Sequence, residues 1–572
     1  MRSAFIFRVR LVLIGFVVLA FFLGIRLYVV QVVNGDLFSE EAEDQYITVT
    51  TALEDRGDIF FTAHDGRETH AATMDSGYRI VVEAGAVPDP GAAYERIGAV
   101  TDVIPREVFL SAATSDDGRH RDVANYVEEE DALRVQDLQI EGVAIGRERW
   151  RIYPAGELAA QVLGFVGSDG EKKSGRYGLE RYWEDTLARN DSSLYVNFFA
   201  EIFSNIQTLV SANEDSSSEG DIVTNIEPTV QQYFEDVLGS AREKYNGKEI
   251  GGVVMDPQTG KIIAMAAHPT FDPNHFSNVA NPTIFANPIV ENVYEFGSIF
   301  KPLTMASGVD TGAVRPETTY YDEGYVIKSG FRISNYDGVG RGRVDMQEVL
   351  NQSLNTGASF VVDKMGGKIF AQYMHDFGIG KKSGIDLPNE VSGLASSLDS
   401  GVAVDYASAS FGQGIAITPI GMTRALATLA NGGKVVTPQV ASEIRYRYGT
   451  NRLLSPAESV QVLKPETAET ITRMLVSVVD DALLEGGVKL DHYSIAAKTG
   501  TAQIAIPDGD GYWEDKFLHS FFGYFPAYDA RFIIFLYIVE PKGVHYASQT
   551  LTYPFMDIAQ FLINYYDIPP DR

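Results

Sequence analysis

The run L11-V-L-I-G-F-V-V-L-A-F-F-L-G-I25 contains no charged residue and continues through R26-L-Y-V-V-Q-V-V33. A helix rises about 1.5 Å per residue, so roughly 20 apolar residues cross the hydrocarbon of a bilayer. Residues 11–33 therefore predict one transmembrane helix. Arg26 lies near its outer end, where the aliphatic stem can carry the guanidinium to the headgroups. Arg2, Arg8 and Arg10 precede the span with no acid among them, which predicts a cytoplasmic tail over 1–10 and a single-pass protein of the cytoplasmic (inner) membrane. The apolar stretch exceeds a typical signal-peptide core and no small-residue cleavage site follows it, so the anchor is expected to stay uncleaved. Everything after residue 34 is then expected outside the cytoplasm, where ATP is absent. No G-x-x-x-x-G-K-[ST] loop occurs.

With 572 residues the chain is too long for one ordinary domain. Its formal charge of −30, from 47 basic and 77 acidic residues, argues against a nucleic-acid partner, because phosphate repels it and no long Lys/Arg block appears. An acidic solvated surface is sufficient to explain the excess. The absence of cysteine excludes disulfides, thiolate metal sites and cysteine nucleophiles, and it fits an exported protein.

From 34 to 220 the composition is mixed and punctuated, with short β-rich runs such as Y78-R-I-V-V-E83, and predicts an irregular, strand-containing module. A212-N-E-D-S-S-S-E-G-D221 is polar and serine-rich and reads as a boundary. A larger α+β domain is expected over 221–572. Within it, I250-G-G-V-V-M-D-P-Q-T-G-K-I-I-A-M-A266 reads as a hairpin, 300–309 and 346–365 as helices, and 495–505 and 531–539 as strands.

Two side chains in E295-F-G-S-I-F-K301 suggest chemistry. Ser298 and Lys301 stand at i, i+3 and share a face if a helix starts here. A serine hydroxyl is a weak nucleophile and needs a base in hydrogen-bond reach. Lysine can be that base if desolvation or nearby positive charge lowers its pKa. This S-x-x-K is the only one in the chain. In Ser353-Leu354-Asn355 a hydroxyl could relay a proton, and an amide could hold the lysine and a substrate carbonyl. Lys498-Thr499-Gly500-Thr501 lies in an apolar strand whose edge could take an extended peptide. There the glycine would permit close approach, while lysine and threonine would meet a terminal carboxylate. K-[ST]-G also begins at Lys173, Lys328 and Lys382, but only the copy at 498 is embedded in β-like sequence.

The order S-x-x-K, S-x-N, K-T-G resembles that of penicillin-binding proteins and class A β-lactamases. R56-G-D-I59, R151-I-Y-P-A-G156 with L163-G-F165, and G175-R-Y-G-L-E180 look like pedestal markers of class B penicillin-binding proteins. The hairpin with F271-D-P-N274, A409-S-F-G-Q-G-I-A-I-T-P419 and H519-S-F-F-G-Y-F-P526 are similar to stretches of their transpeptidase domain. The chain departs from the family's usual residues at Phe296 (proline), at Leu354 (serine) and in the longer turn F60-F-T-A-H-D-G66.

The resemblance implies a multidomain α+β chain. A membrane anchor (11–33) is followed by a pedestal (34–220) and a serine β-lactamase-like domain (221–572), an antiparallel sheet flanked by helices. It implies that Ser298 attacks the D-Ala-D-Ala bond of a peptidoglycan stem peptide and Lys301 takes the proton. Ser353 passes that proton to the leaving D-alanine, and Asn355 orients Lys301 and the peptide. Lys498 keeps the potential positive, Thr499, Gly500 and Thr501 bind the substrate, and the backbone N–H groups of Ser298 and Thr501 form the oxyanion hole. No metal or cofactor is expected. Implied partners are stem peptides and nascent glycan strands, β-lactams as inhibitors, a membrane glycosyltransferase of the shape, elongation, division and sporulation family, and other divisome or elongation-complex proteins. The short pedestal and Y153-P-A-G-E157 favour the division (septal) type over the side-wall type. A D,D-carboxypeptidase or β-lactamase would use the same three motifs, although no E-x-x-L-N-like loop follows Asn355. A β-lactam sensor or a non-catalytic scaffold would keep only the binding.

Overall fold

The computed structural model describes residues 55–115, 118–169, 172–189, 219–447, 450–455, 457–506 and 511–572. The expected membrane helix at 11–33 lies outside them. No helix among the described residues is long and apolar enough to cross a membrane.

The chain forms two compact units, and they do not divide at one point in the sequence. Segments 56–74 and 151–189 pack with the C-terminal part, while 75–150 forms the core of the other unit. That smaller unit has strands Glu68–Glu83 (its later half), His120–Val127 and Val143–Ile152 with helices Pro90–Gly98, Arg106–Ala113 and Glu129–Asp137. Ile80, Val82, Ile97, Phe109, Val123 and Val135 fill its core.

In the larger unit the elements that build the site are α1 (Pro228–Tyr245), β1 (Glu249–Met255), β2 (Ile262–His268), α2 (Lys301–Asp310), α3 (Met346–Asn351), α4 (Asn355–Met365), α5 (Pro419–Ala430), α6 (Pro465–Ser477), β3 (Ala496–Ala505), β4 (Tyr512–Phe525), β5 (Phe532–Val539) and α7 (Thr552–Tyr565). The strands form one antiparallel sheet in the order β2-β1-β5-β4-β3, which leaves β3 at an edge. The apolar run of β5 is explained by burial on both faces. Ile534, Leu536 and Ile538 join α1 and α7 residues on one face, while Ile533, Phe535 and Tyr537 join the larger core on the other. The expected hairpin is β1–β2. The longer turn after R56-G-D-I is itself a hairpin, with Ile59–Thr62 paired antiparallel to residues 68–72.

The 346–365 segment departs from the expected single helix. It breaks into α3 and α4 because Ser353 adopts a left-handed backbone, φ 55°.

The three pedestal-like motifs meet within the larger unit. The buried Glu180 carboxylate accepts from Arg56 Nε at 2.6 Å and from Arg151 Nε at 2.6 Å, and Arg56 also reaches Glu184 at 2.7 Å. Burial pushes the Glu180 carboxyl up, but the two guanidiniums outweigh it and hold it below the usual range. Removing one partner of such a cluster strands buried charge. Glu180→Gln is therefore expected to destabilise the protein by about 3–5 kcal/mol. Chemical denaturation checks this, and an unchanged midpoint would contradict it.

Candidate active site

The nucleophile candidate sits in a tight turn. Gly297 has φ 65°, and a Cβ there would come within 2.7 Å of the Thr501 carbonyl, so only glycine fits between this turn and β3. Residues Gly297–Phe300 form one 3₁₀ turn that feeds directly into α2, with Pro302 in its first turn where a missing N–H costs nothing. Phe296, in place of the family's proline, is fully buried and stacks edge-to-face on Phe535 at 5.0 Å. Its φ of −93° and ψ of −5° are open to any residue, so the substitution trades ring rigidity for core packing. Leu354, the other departure, is likewise fully buried.

Around the turn, the sequence-predicted residues converge. Lys301 Nζ lies 2.9 Å from Ser298 Oγ and 3.1 Å from Ser353 Oγ, and it also donates to the Ser353 carbonyl. Lys498 Nζ reaches the same Ser353 hydroxyl at 3.1 Å and the Thr499 carbonyl at 3.0 Å. One hydroxyl thus bridges two amines. The left-handed Ser353 makes this possible by turning both its carbonyl and its side chain toward Lys301, at a backbone cost of about 1–3 kcal/mol.

Both amines are withdrawn from water, Lys301 being 1% exposed and Lys498 3%. Burial pushes Lys301 well below the usual lysine range, and the neighbouring Lys498 charge pushes it further. Burial brings Lys498 down to about 7. A neutral amine beside a hydroxyl can accept its proton, which an ordinary lysine at neutral pH cannot.

A cleft of about 710 Å³ opens over this cluster, and Ser298, Ser353, Asn355, Lys498, Thr499 and Thr501 all line it. A larger cavity of about 1360 Å³ elsewhere in the same unit contains none of them. Asn355 donates to the Ser334 carbonyl at 2.9 Å, while the bonds of Lys301 go to the two serines. Thr501 Oγ1 accepts from Ala547 N at 3.1 Å and retains its own hydrogen for a ligand.

Gly500 serves a different purpose from the one read in the sequence. A Cβ there would meet Ser520 Oγ at 2.4 Å and the Phe296 carbonyl at 2.5 Å. Close approach of the nucleophile turn, on the side away from the cleft, is what requires glycine. The K-[ST]-G copy at Lys173 also lies on a strand, Lys172–Gly175, so β context alone does not single out 498. Its position beside Ser353 does.

The stretch H519-S-F carries two further supports of the site that its sequence alone does not signal. Ser520 Oγ donates to the Phe296 carbonyl at 2.9 Å, tying the nucleophile turn to the sheet. Burial brings His519 down to about 4, and its neutral ring joins Thr550 Oγ1 at 3.0 Å to the His545 carbonyl at 3.1 Å.

Residues 250–558 match the family described as the penicillin-binding protein transpeptidase domain. The chain belongs to the penicillin-binding protein transpeptidase family. Among these proteins it is of class B. It is 29% identical to stage V sporulation protein D of Bacillus subtilis over 564 residues, covering 96% of this chain and 84% of that protein. It is 25% identical to the peptidoglycan D,D-transpeptidase FtsI of Escherichia coli, covering 97% and 90%. Penicillin-binding protein 2X of Streptococcus thermophilus shares the fold, with a TM-score of 0.72 at 19% identity over 90% of this chain and 81% of that one. Penicillin-binding protein 3 of Mycobacterium tuberculosis, solved with aztreonam, does so at 0.69 and 22% over 91% and 97%.

Proposed function

We propose that this protein is a peptidoglycan D,D-transpeptidase that crosslinks stem peptides through a serine acyl-enzyme. The observation that carries the reading is the buried Lys301 amine, in hydrogen-bond reach of both Ser298 and Ser353 beside an open sheet edge.

In this reading a donor peptide ending in D-Ala-D-Ala lies along β3 as an added strand, its carboxylate on Thr499 and Thr501. Ser298 Oγ attacks the penultimate D-alanine carbonyl as its proton passes to neutral Lys301. Backbone N–H groups of Ser298 and Thr501 hold the oxyanion. The tetrahedral intermediate collapses, the C–N bond breaks, and the proton travels from Lys301 through Ser353 to the departing D-alanine amine. Lys498 keeps the local potential positive, favouring the neutral form of Lys301. Asn355 orients the peptide from the cleft wall. An acceptor amine then attacks the ester, returns a proton to Ser298 and leaves the crosslinked product. β-Lactams enter as mimics of the donor terminus.

The apolar run at 11–33 supports a single-pass anchor that leaves the catalytic domain outside the cytoplasm, with a pedestal over 34–220 and a transpeptidase domain over 221–572. Part of that pedestal, 56–74 and 151–189, packs into the compact unit of the transpeptidase domain. The similarity to FtsI and the short pedestal support a septal role, alongside a membrane glycosyltransferase of the shape, elongation, division and sporulation family.

Incubation with a D-Ala-D-Ala donor and an amine acceptor tests the function. The crosslinked dimer is expected as the main product. Release of the shortened donor alone, with acceptor present in excess, would identify a carboxypeptidase instead.

A further inference from the structure

The carboxylate that stands three residues before the nucleophile joins three pieces of the cleft. Glu295 Oε2 accepts from the Tyr512 hydroxyl at 2.9 Å, and Oε1 accepts from the Gly414 backbone N–H at 3.2 Å. Tyr512 is the first residue of β4 and pairs with Ala505, the last residue of β3, the strand that carries Lys498 to Thr501. Gly414 belongs to the segment that runs antiparallel beside the nucleophile turn. Tyr294 and Ile417 exchange both of their backbone bonds there at 3.0 Å, and Gly297 N donates to the Gly412 carbonyl at 3.4 Å. Gln413, between the two glycines, lines the cleft.

We propose that Glu295 is a positioning residue that fixes the substrate strand and the 409–419 segment at the spacing from Ser298 that acyl transfer requires. The proposal rests on the transpeptidase reading and adds to it what holds the parts in place. The oxyanion donors come from two pieces of chain, Ser298 on the turn and Thr501 on β3. Their separation depends on whatever joins the turn to the β3–β4 hairpin. Ser520 makes that join at the sheet end, through the Phe296 carbonyl. The Glu295–Tyr512 bond makes it at the far end of the hairpin, so the strand is held at two points and cannot pivot about one. Partial burial raises the Glu295 carboxyl above its ordinary range, and among the described residues Tyr512 is the one side chain that bonds to it. A hydroxyl donor and a backbone donor converge on this half-buried carboxylate, and no cation among the described residues pairs it, an arrangement suited to geometry rather than to stability by charge.

A mere structural staple would change melting and ligand affinity together. A positioning group changes the chemical step, because the oxyanion donors act only as charge develops on the carbonyl oxygen. The test is stopped-flow acylation of the full-length chain by a fluorescent penicillin, separating the initial dissociation constant from the acylation rate constant. Glu295→Ala and Tyr512→Phe are each expected to lower the rate constant about 10- to 100-fold, with the dissociation constant and melting temperature little changed. The double variant is expected to be no slower than the slower single one, since both remove the same bond. Glu295→Gln, whose amide can serve both partners, is expected to recover the rate to within about threefold of wild type. Tyr512→Phe removes one hydroxyl from a half-buried ring and carries the test alone if Glu295→Ala does not fold. Unchanged rate constants in the single variants, effects that multiply in the double one, or losses confined to affinity and melting would overturn the assignment while the wild-type protein still acylates. A wild-type protein that forms no acyl-enzyme would overturn the transpeptidase reading together with it.

Discussion

Replacing Lys301 by alanine is expected to slow acylation by about 10²- to 10⁴-fold, the contribution typical of a positioned general base. The amine is within reach of the Ser298 hydroxyl and is fully withdrawn from solvent, so in the proposed mechanism its loss removes the proton acceptor rather than an accessory contact. The two buried amines also set the pH dependence. Lys301 is depressed well below the usual lysine range, so it becomes a base at a pH where free lysine is protonated, and acylation rises as pH climbs through that value. Lys498 is at about 7, so the positive potential it supplies is lost as pH rises further. The expected profile is a bell whose descending limb lies near neutrality. Acylation measured across pH checks this. A rate that keeps rising into the range of an ordinary lysine would show that the buried amine is not the base. In Lys301→Ala the ascending limb is expected to disappear. Because Lys301 is buried and paired, a melting curve of the variant separates loss of the base from loss of the fold.

Replacing Ser298 by alanine has the largest expected effect. No covalent intermediate can form, and turnover should fall by roughly a millionfold, the scale reported for removal of a serine nucleophile elsewhere. What survives is binding and oxyanion stabilisation, neither of which yields an ester. Ser298 is only half-buried and is flanked by fully buried Gly297 and Ile299, so removing one hydroxyl leaves the packing intact. The variant should melt like the wild type and still bind donor peptide. Retained labelling by a fluorescent penicillin would mean that another hydroxyl carries the reaction.

Much of this site was legible because the three motifs that carry its side chains are short and local. Ser298 and Lys301 are one turn apart, and burial of that turn is visible in its apolar neighbours. The strand containing Lys498 announces itself by its hydrophobic run. The features that make the parts work together depend on long-range packing, which no periodicity reports. Nothing in the segment 346–365 marks Ser353 as left-handed, since serine there fits a helix as well as a break. The need for glycine at 500 comes from the Phe296 carbonyl and the Ser520 hydroxyl, about two hundred and twenty residues apart from one another. The meeting of Arg56, Arg151 and Glu180 likewise joins segments that read separately as isolated markers. Lys173 shows the converse limit, a matching triplet on a real strand that has no part in the cluster.

In the proposed reaction one hydroxyl, Ser298 Oγ, is the atom acylated. Peptide mapping of the protein after brief exposure to a β-lactam tests it most directly. A single adduct is expected on the peptide that contains Ser298, and none in Ser298→Ala. An adduct on Ser353, on Ser520 or on any serine outside the cleft would contradict it.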